Sequence, residues 1–391
     1  MKMMITLMTI GLFLSPTNAW SQPSGKAAFD TFVNKMKSLN RLPVHFSQLD
    51  LNRKAKRLTS AQLKSYGSKR KSKGPKDAHV GFTWASDDAH TIAWFPQGIA
   101  GLASGKNNAR KWLLVSWYDN TKYNKDSLDR GARISFIDIT NLDKIRYRHV
   151  LLVKPLRNGN FHRALTHAGG LGVYNGYLYV AGTDKVQVFD TRKIFVADGT
   201  DLIGIKSKTG VFAYGYRYIM PMVREYKKAD IGITGKSRLS FASMDYTIPQ
   251  KPMLVMGNYH GGKEGDDYYN PPRILYRWSV TKQGTIYHKP SVVKVKSGLK
   301  DRVQGGAMLN NTVYLAASGS VAKLWVGKRQ GTQLIKKKSY AWAYGTEDLY
   351  ISAGRKNLWS LTEWPPKKGG TPYDGRRIVF AVKLSKYKPA K

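Results

Sequence analysis

Residues 175–190 read NGYLYVAGTDKVQVFD, and this segment decides the fold class. It contains two short runs of β-branched and aromatic residues, separated by a Gly-Thr-Asp turn. The Asn-Gly pair that opens it favours a tight hairpin turn. The segment therefore predicts antiparallel strands over 177–181 and 185–190.

Similar short runs recur after His79, with Gly, Asn and Asp at their ends, as is typical of strands. They cover 111–118, 132–139, 149–154, 177–181, 185–190, 238–244, 253–256, 273–280, 312–316, 322–326, 358–361 and 378–382. The echo LNNTVYLAA at 309–317 indicates repetition, with an Asn-Asn turn. Helical patterns are absent from this region, which argues against a parallel α/β fold.

The region is too long for a simple sandwich, but a closed ring of small sheets accommodates it. At about 40 to 50 residues per blade, it would hold six or seven blades. We therefore expect an all-β fold, a β-propeller of seven or six blades with a basic N-terminal extension. The alternative is two stacked β-domains.

The first 19 residues carry Lys2, an apolar run, and small residues at Thr17 and Ala19. This pattern predicts a signal peptide over 1–19 and a secreted or periplasmic protein, the alternative being an uncleaved anchor. The chain has no cysteine, so it has no disulfide framework. No later stretch is long and apolar enough for a membrane helix.

The chain is strongly basic, with 65 Lys and Arg against 25 Asp and Glu and a net charge of +40. Such a charge attracts polyanions, and the expected partners are acidic polysaccharide or the anionic cell envelope, with nucleic acid less favoured. The alternative is a generally basic secreted proteome with no specific partner. No cofactor is expected, and the protein is expected to be a monomer.

The predicted domains are the signal peptide, a basic extension over 20–78 and the propeller over 79–391. Phe29, Phe32 and Met36 recur at helical spacing and predict one short amphipathic helix. Residues 51–76 contain ten Lys or Arg and no acidic residue, so they are expected to form a tail or linker.

An ordered set of motifs spans residues 90–382. It comprises WFPQG at 94–98, SWY at 116–118, GARISF at 131–136, YRHVLLV at 147–153, HAGG at 167–170, YRY at 216–218, QGG at 304–306 and EDL at 347–349. In these motifs the chain resembles a family of secreted, largely uncharacterised bacterial β-propeller-like proteins. It resembles more loosely the propeller lyases that cleave ulvan and related uronic-acid polysaccharides, by its expected architecture and a His/Tyr/Arg set.

Polar residues at strand ends around a propeller funnel are the natural site candidates. The candidate catalytic residues are His167, Tyr216, Arg217, Tyr218 and His260. The candidate substrate-binding residues are Gln97, Trp117, Tyr118, Tyr259, Arg302 and Gln304. The alternative for the His167 motif is a hydrogen bond to a neighbouring blade, and for Tyr216–Tyr218 it is packing between blades with Arg217 on the surface.

This set of residues suits β-elimination on a uronic-acid glycan. An arginine would neutralise the carboxylate, a histidine would remove the neighbouring proton, and a tyrosine would protonate the leaving oxygen. The expected function is therefore polyanion binding, with lyase activity on an acidic glycan as its catalytic form. The alternative is a non-catalytic binding or scaffold protein of the cell envelope.

Two other chemistries have partial support in the sequence. The acids Glu347, Asp348 and Glu363 would suit a glycosidase at the correct separation, although Glu347 and Asp348 also suit a blade turn. Histidines at four positions offer metal ligands, but their spacing is not diagnostic. These are His149, His162, His167 and His260.

Overall fold

The computed structural model describes residues 24–69, 71–121, 128–206, 210–234, 238–259, 274–295, 302–318, 321–366 and 375–391. The predicted signal peptide over 1–19 lies outside the described residues. No helix in the described ranges is both long enough and apolar enough to span a bilayer.

The described residues form three α-helices and a series of short strands. The helices are α1 (Lys26–Ser38), α2 (Ser60–Gly67) and α3 (Ser86–His90). The first strands are β1 (Arg53–Lys54), β2 (Lys56–Arg57), β3 (Ala78–Thr83), β4 (Trp94–Ser104), β5 (Arg110–Asp119), β6 (Ala132–Asp138), β7 (Arg146–Pro155) and β8 (Phe161–Arg163). The middle strands are β9 (Gly170–Tyr174), β10 (Tyr177–Ala181), β11 (Lys185–Asp190), β12 (Phe195–Val196), β13 (Ile203–Ile205), β14 (Val211–Ala213), β15 (Tyr218–Lys227), β16 (Leu239–Asp245), β17 (Met253–Asn258), β18 (Ile274–Ser279) and β19 (Ser291–Lys294). The last strands are β20 (Val303–Leu309), β21 (Thr312–Ala317), β22 (Lys323–Gln330), β23 (Gln333–Ala341), β24 (Thr346–Ile351), β25 (Asn357–Thr362) and β26 (Ile378–Lys383).

These strands assemble into five four-stranded antiparallel blades. The blades are β4-β5-β6-β7, β9-β10-β11-β15, β16-β17-β18-β19, β20-β21-β22-β23 and β24-β25-β26-β3. Their first strands contact one another in cyclic order, from β4 through β9, β16, β20 and β24 back to β4. The outer strands of the first two blades also pair in parallel, with Ile219 opposite Leu151.

The fold is therefore a β-propeller, as the sequence predicts, but its described strands form five blades instead of the expected six or seven. The blades are longer than the assumed repeat because several carry excursions outside the four strands. In the second blade, residues 191–217 separate β11 from β15 and contain the small sheet of β13 and β14. In the fifth blade, β3 from the N-terminal part supplies the outer strand and closes the ring.

The hairpins form where turn residues permit them. Asn175 and Gly176 have φ of 48° and 78° between β9 and β10, and Asn310 and Asn311 have φ of 48° and 60° between β20 and β21. Asn and Gly tolerate this left-handed conformation, which two-residue hairpins need. Both predicted turns are confirmed.

The N-terminal residues lie against the blades. The predicted amphipathic helix is α1, and its Phe32 and Met36 are buried in the core cluster shared with the first and fifth blades. In the basic segment, Leu58 and Leu63 are buried in the core of the fourth and fifth blades, while β1 pairs with β7. The described part of this segment is therefore packed, because its few apolar residues point inward while most of its lysines and arginines stay at the surface. The domain limits over 20–78 and 79–391 remain a prediction.

Candidate functional site

A cluster of polar side chains lies at one end of the propeller axis, and we call it the axial mouth. In each blade the second strand runs antiparallel to the first, so the end of one lies beside the start of the other. The starts of the first strands contribute His167, Gln97, Arg238, Arg302, Gln304 and Glu347, and the ends of the second strands contribute Tyr118, Tyr259 and Glu363. Residues far apart in sequence meet there for this reason.

Two buried carboxyl groups, Glu347 and Glu363, lie next to each other in the axial mouth. Gln97 Nε2 donates to Glu363 Oε1 at 2.8 Å, and Gln304 Nε2 donates to Glu347 Oε1 at 3.3 Å. Burial raises the pKa of Glu347 well above its usual range, and the nearby Glu363 charge adds to this. Burial also raises the pKa of Glu363 to about 7, although Arg377 opposes the shift. The two carboxyl groups therefore still retain a proton between them as the pH rises towards neutrality.

His167 lies beside the Tyr118 ring, with 4.3 Å between ring centroids. Its backbone is fixed by the next residue, Ala168, which has φ of 51° and whose carbonyl accepts a 2.7 Å hydrogen bond from Ser116 Oγ. Burial, together with the Arg238 charge, lowers the pKa of His167 to about 3. The imidazole is consequently uncharged at physiological pH.

The glycines that follow His167 allow the first strands to approach closely. A Cβ on Gly170 would lie 1.8 Å from the backbone nitrogen of Ala242 in the next blade. A Cβ on Gly305 would lie 2.4 Å from the carbonyl oxygen of Glu347. The HAGG and QGG motifs thus let neighbouring blades touch at the axis.

Tyr259 has two cationic neighbours, Arg238 and Arg302, and the acidic side chains of Glu347 and Glu363 are also nearby. The Arg238 guanidinium carbon is 5.6 Å from the centre of its ring. Burial raises the pKa of Tyr259, and the charges of Arg302 and Arg238 partly oppose this. The phenol therefore keeps its proton at neutral pH and can donate it.

Asp348 ties the first strands together at the axis. Its Oδ2 accepts the backbone N–H of Ile99 on β4 at 3.2 Å and of Leu171 on β9 at 3.1 Å. Burial raises the pKa of Asp348, and these amide donors oppose the shift. The interpretation of the Glu-Asp pair as a structural tie therefore fits Asp348, whereas Glu347 faces the axial mouth.

The axial mouth combines a neutral imidazole, a protonated phenol, two arginines and a proton-sharing carboxyl pair. Glycosidases keep their two carboxyl groups about 5 Å or more apart, whereas Glu347 and Glu363 are direct neighbours in the axial mouth. No group of three or more His, Cys, Asp or Glu side chains within the described ranges is arranged to hold a metal ion.

Tyr216 and Arg217 of the YRY motif line a different cleft, which is formed largely by the first blade and has none of the axial-mouth residues in its lining. Tyr216 precedes β15, which begins at Tyr218, so the motif is not one regular strand. Tyr216 Oη accepts a 3.1 Å hydrogen bond from Arg133, and the Arg217 guanidinium carbon is 5.8 Å from the centre of the Tyr218 ring. These three predicted catalytic residues therefore do not join His167.

The remaining predicted residues have different surroundings. Trp117 is fully buried and donates from its indole nitrogen to Ser135 Oγ at 2.8 Å, so it is not placed to contact a ligand. His149 is buried and lies 2.9 Å from Asp88, and His162 is exposed on β8. His260 lies outside the described residues.

Sequence reasoning missed two arginines near the axial mouth. Arg238 stands directly before β16, and Arg302 occupies the same position before β20. This shared position could have identified Arg238 as a candidate from the sequence. Arg377 is buried, donates to the Glu363 carbonyl oxygen at 2.8 Å, and lies behind the carboxyl pair. Nothing in the local sequence indicated that a buried arginine would stand there.

Comparisons with known proteins found only distant structural likenesses. No protein-family model and no curated protein matches the chain. Among solved structures, it is similar to the Dos1 propeller at 8% identity and a TM-score of 0.31, covering 94% of this chain and 75% of that one. PhoX from Pseudomonas fluorescens is similar at 9% identity and a TM-score of 0.42, covering 89% and 98%. A glycoside hydrolase family 43 arabinoxylan arabinofuranohydrolase from Bacillus subtilis is similar at 10% identity and 0.43, covering 78% and 66%. Likenesses this distant carry no argument about activity.

Proposed function

We propose that the protein is an exported propeller that binds an acidic glycan and cleaves it by β-elimination at the axial mouth. The observation that carries the proposal is the meeting of His167, Tyr259 and Arg238 at one end of the axis. These are the base, acid and carboxylate-neutralising groups that the reaction needs.

The reaction would use the protonation states of these groups. Arg238 and Arg302 would pair with the uronate carboxylate and make the neighbouring C–H more acidic. Neutral His167 would take that proton while the C–O bond to the leaving sugar breaks and a C=C bond forms. Tyr259 would give its proton to the departing oxygen. Since the Glu347–Glu363 pair shares a proton, it would carry less than its full negative charge. The positive charge of Arg238 and Arg302 would then exceed the negative charge of the axial mouth.

The test is an ultraviolet assay for the unsaturated sugar that elimination produces. The full chain is incubated with polygalacturonate, alginate, glucuronan and ulvan, and product formation is followed together with folding by circular dichroism. We expect wild type and the control His162→Ala to form product on one of these polymers, and His167→Ala and Tyr259→Phe to lose activity at least about a hundredfold. No product from wild type on any polymer would refute the lyase proposal.

A second candidate, a non-catalytic binder of anionic polymers at the cell envelope, is favoured by the arginine-rich cleft around Tyr216. It predicts salt-sensitive binding that does not depend on His167. Measuring affinity for the same polymers at low and high salt, with wild type and His167→Ala, separates the two candidates.

A further inference from the structure

The cleft lined by Tyr216 and Arg217 has a volume of about 380 Å³, within the range of small-ligand sites. Its described lining residues include five arginines and no aspartate or glutamate. The five are Arg53, Arg130, Arg133, Arg148 and Arg217. We call this feature the arginine cleft.

Three of these arginines have carboxylate partners behind the cleft wall. Asp88 accepts from Arg53 Nε and from Arg133 Nη2, both at 2.8 Å. Arg130 lies 3.7 Å from the buried Asp119. These pairs hold the wall in place and offset part of its charge.

Arg148 has only a long ion pair with a carboxylate, and Arg217 lies against the ring of Tyr218. The ion pair of Arg148 with Asp50 spans 4.0 Å, and the Asp50 side chain is 66% exposed. Burial lowers the pKa of Arg148, and although Tyr218 and Asp50 oppose this, the charges of Arg217 and Arg53 lower it further. Arg148 is therefore a partly desolvated cation facing other cations, and a bound anion would relieve both effects.

The cleft also holds backbone and polar groups typical of ligand sites. Tyr214 and Gly215 have successive left-handed φ of 51° and 76°, and a tyrosine rarely adopts this conformation outside constrained sites. Arg133 is 6% exposed, and its Nε has no hydrogen-bond partner.

We propose that the arginine cleft binds one acidic sugar of a polyanionic glycan, with its carboxylate or sulfate held by Arg148 and Arg217 and its ring against Tyr214. This inference rests on the proposed preference for an acidic glycan. A single-stranded nucleic acid would instead need an extended groove with successive aromatic platforms, whereas this cavity is compact. Guanidinium groups match the paired oxygens of both carboxylate and sulfate.

The test compares Arg148→Gln with Arg146→Gln, because both remove one positive charge from β7 and only Arg148 lines the cleft. Affinities of the full chain are measured by calorimetry for three probes. These are a short oligogalacturonate, a neutral-backbone oligosaccharide carrying sulfate esters, and a single-stranded oligonucleotide of equal charge. We expect Arg148→Gln to weaken binding of a glycan probe about tenfold or more, Arg146→Gln about twofold or less, and Arg148→Lys to fall between them.

The glycan probe that responds to Arg148 identifies the acid group as carboxylate or sulfate ester. Equal losses for the two glutamine variants, or a specific loss for the oligonucleotide alone, would overturn the inference. His162→Ala, which changes an exposed residue outside both sites, is expected to leave these affinities within about twofold of wild type. A wild type that binds through Arg148 but forms no elimination product would therefore refute the lyase proposal and leave the arginine cleft assigned.

Discussion

Asp88 is the buried anion on which the wall of the arginine cleft depends, and replacing it with asparagine should destabilise the fold strongly. Besides Arg53 and Arg133, it accepts a 2.6 Å hydrogen bond from Tyr147 and lies 2.9 Å from His149 Nε2. Its side chain is 5% exposed and that of Arg133 is 7% exposed. Removing one partner of a buried ion pair costs about 3 to 5 kcal/mol, because the other charge stays buried without compensation.

The adjacent residue Asp87 provides a matched control. It pairs with Arg53 but is 68% exposed, so Asp87→Asn should cost about 1 kcal/mol or less. Urea unfolding followed by tryptophan fluorescence gives both free energies of unfolding. Two variants that agree within about 1 kcal/mol would refute the view that Asp88 anchors this wall.

The network also predicts the sign of a pH effect. Burial alone would raise the pKa of Asp88, but His149, Arg133 and Arg53 hold it below its usual range. The unfolded state therefore binds more protons at low pH, and the stabilisation is lost as pH falls below the ordinary aspartate pKa of about 3.9. Asp88→Asn should flatten this acid limb, and a variant with the wild-type acid limb would contradict the assignment.

Three further predictions concern the fold and the carboxyl pair. Gly170→Ala should cost about 3 kcal/mol or more in urea unfolding because its Cβ meets backbone, whereas Gly199→Ala, with nothing within 4 Å, should cost about 1 kcal/mol or less; equal costs would contradict the close approach of the blades. Wild type should lose stability as pH rises from about 4.5 to about 7, since the folded pair retains a proton there, and Glu363→Gln should reduce that slope; parallel pH curves would count against proton sharing. A chain starting at residue 79 should be less stable in the same assay, since it lacks the buried Leu63 and Phe32; stability equal to the full chain would support the predicted domain limit instead.

The local features of the blades were readable from sequence, because a strand and its turn lie close together in the chain. Strands β10 and β11 have the predicted bounds, and Asn175 and Gly176 form the predicted turn. The number of blades could not be predicted from the sequence. The strand that completes the second blade comes after a long excursion, and the one that completes the fifth comes from the other end of the chain.

In the candidate site too, local features could be predicted from the sequence, whereas contacts between distant parts of the chain could not. His167, Gln97 and Gln304 were candidates because polar residues at the ends of strands line a propeller funnel, and the structure gathers them in the axial mouth near the starts of β9, β4 and β20. The pairing of Glu347 with Glu363 joins a strand start to a strand end, and local sequence does not encode such a contact. The YRY motif does not join these residues, because residues 216–217 precede β15 and follow the left-handed turn at residues 214–215.

The basic segment over 51–76 shows why composition misleads about packing. Its charge suggested a tail or linker, yet Leu58 and Leu63 are buried against the blades and β1 pairs with β7. Burying a leucine side chain is worth about 1.5 to 3 kcal/mol, and the surrounding lysines keep their ammonium groups in water.

The axial mouth is tested most directly by a crystal structure of the inactive His167→Ala variant with a bound uronic-acid oligosaccharide. We predict that a uronate carboxylate lies within hydrogen-bonding distance of Arg238 or Arg302, with the neighbouring C–H facing position 167 and the leaving oxygen near Tyr259. An oligosaccharide bound only in the arginine cleft or on the outer surface would contradict the proposed reaction site.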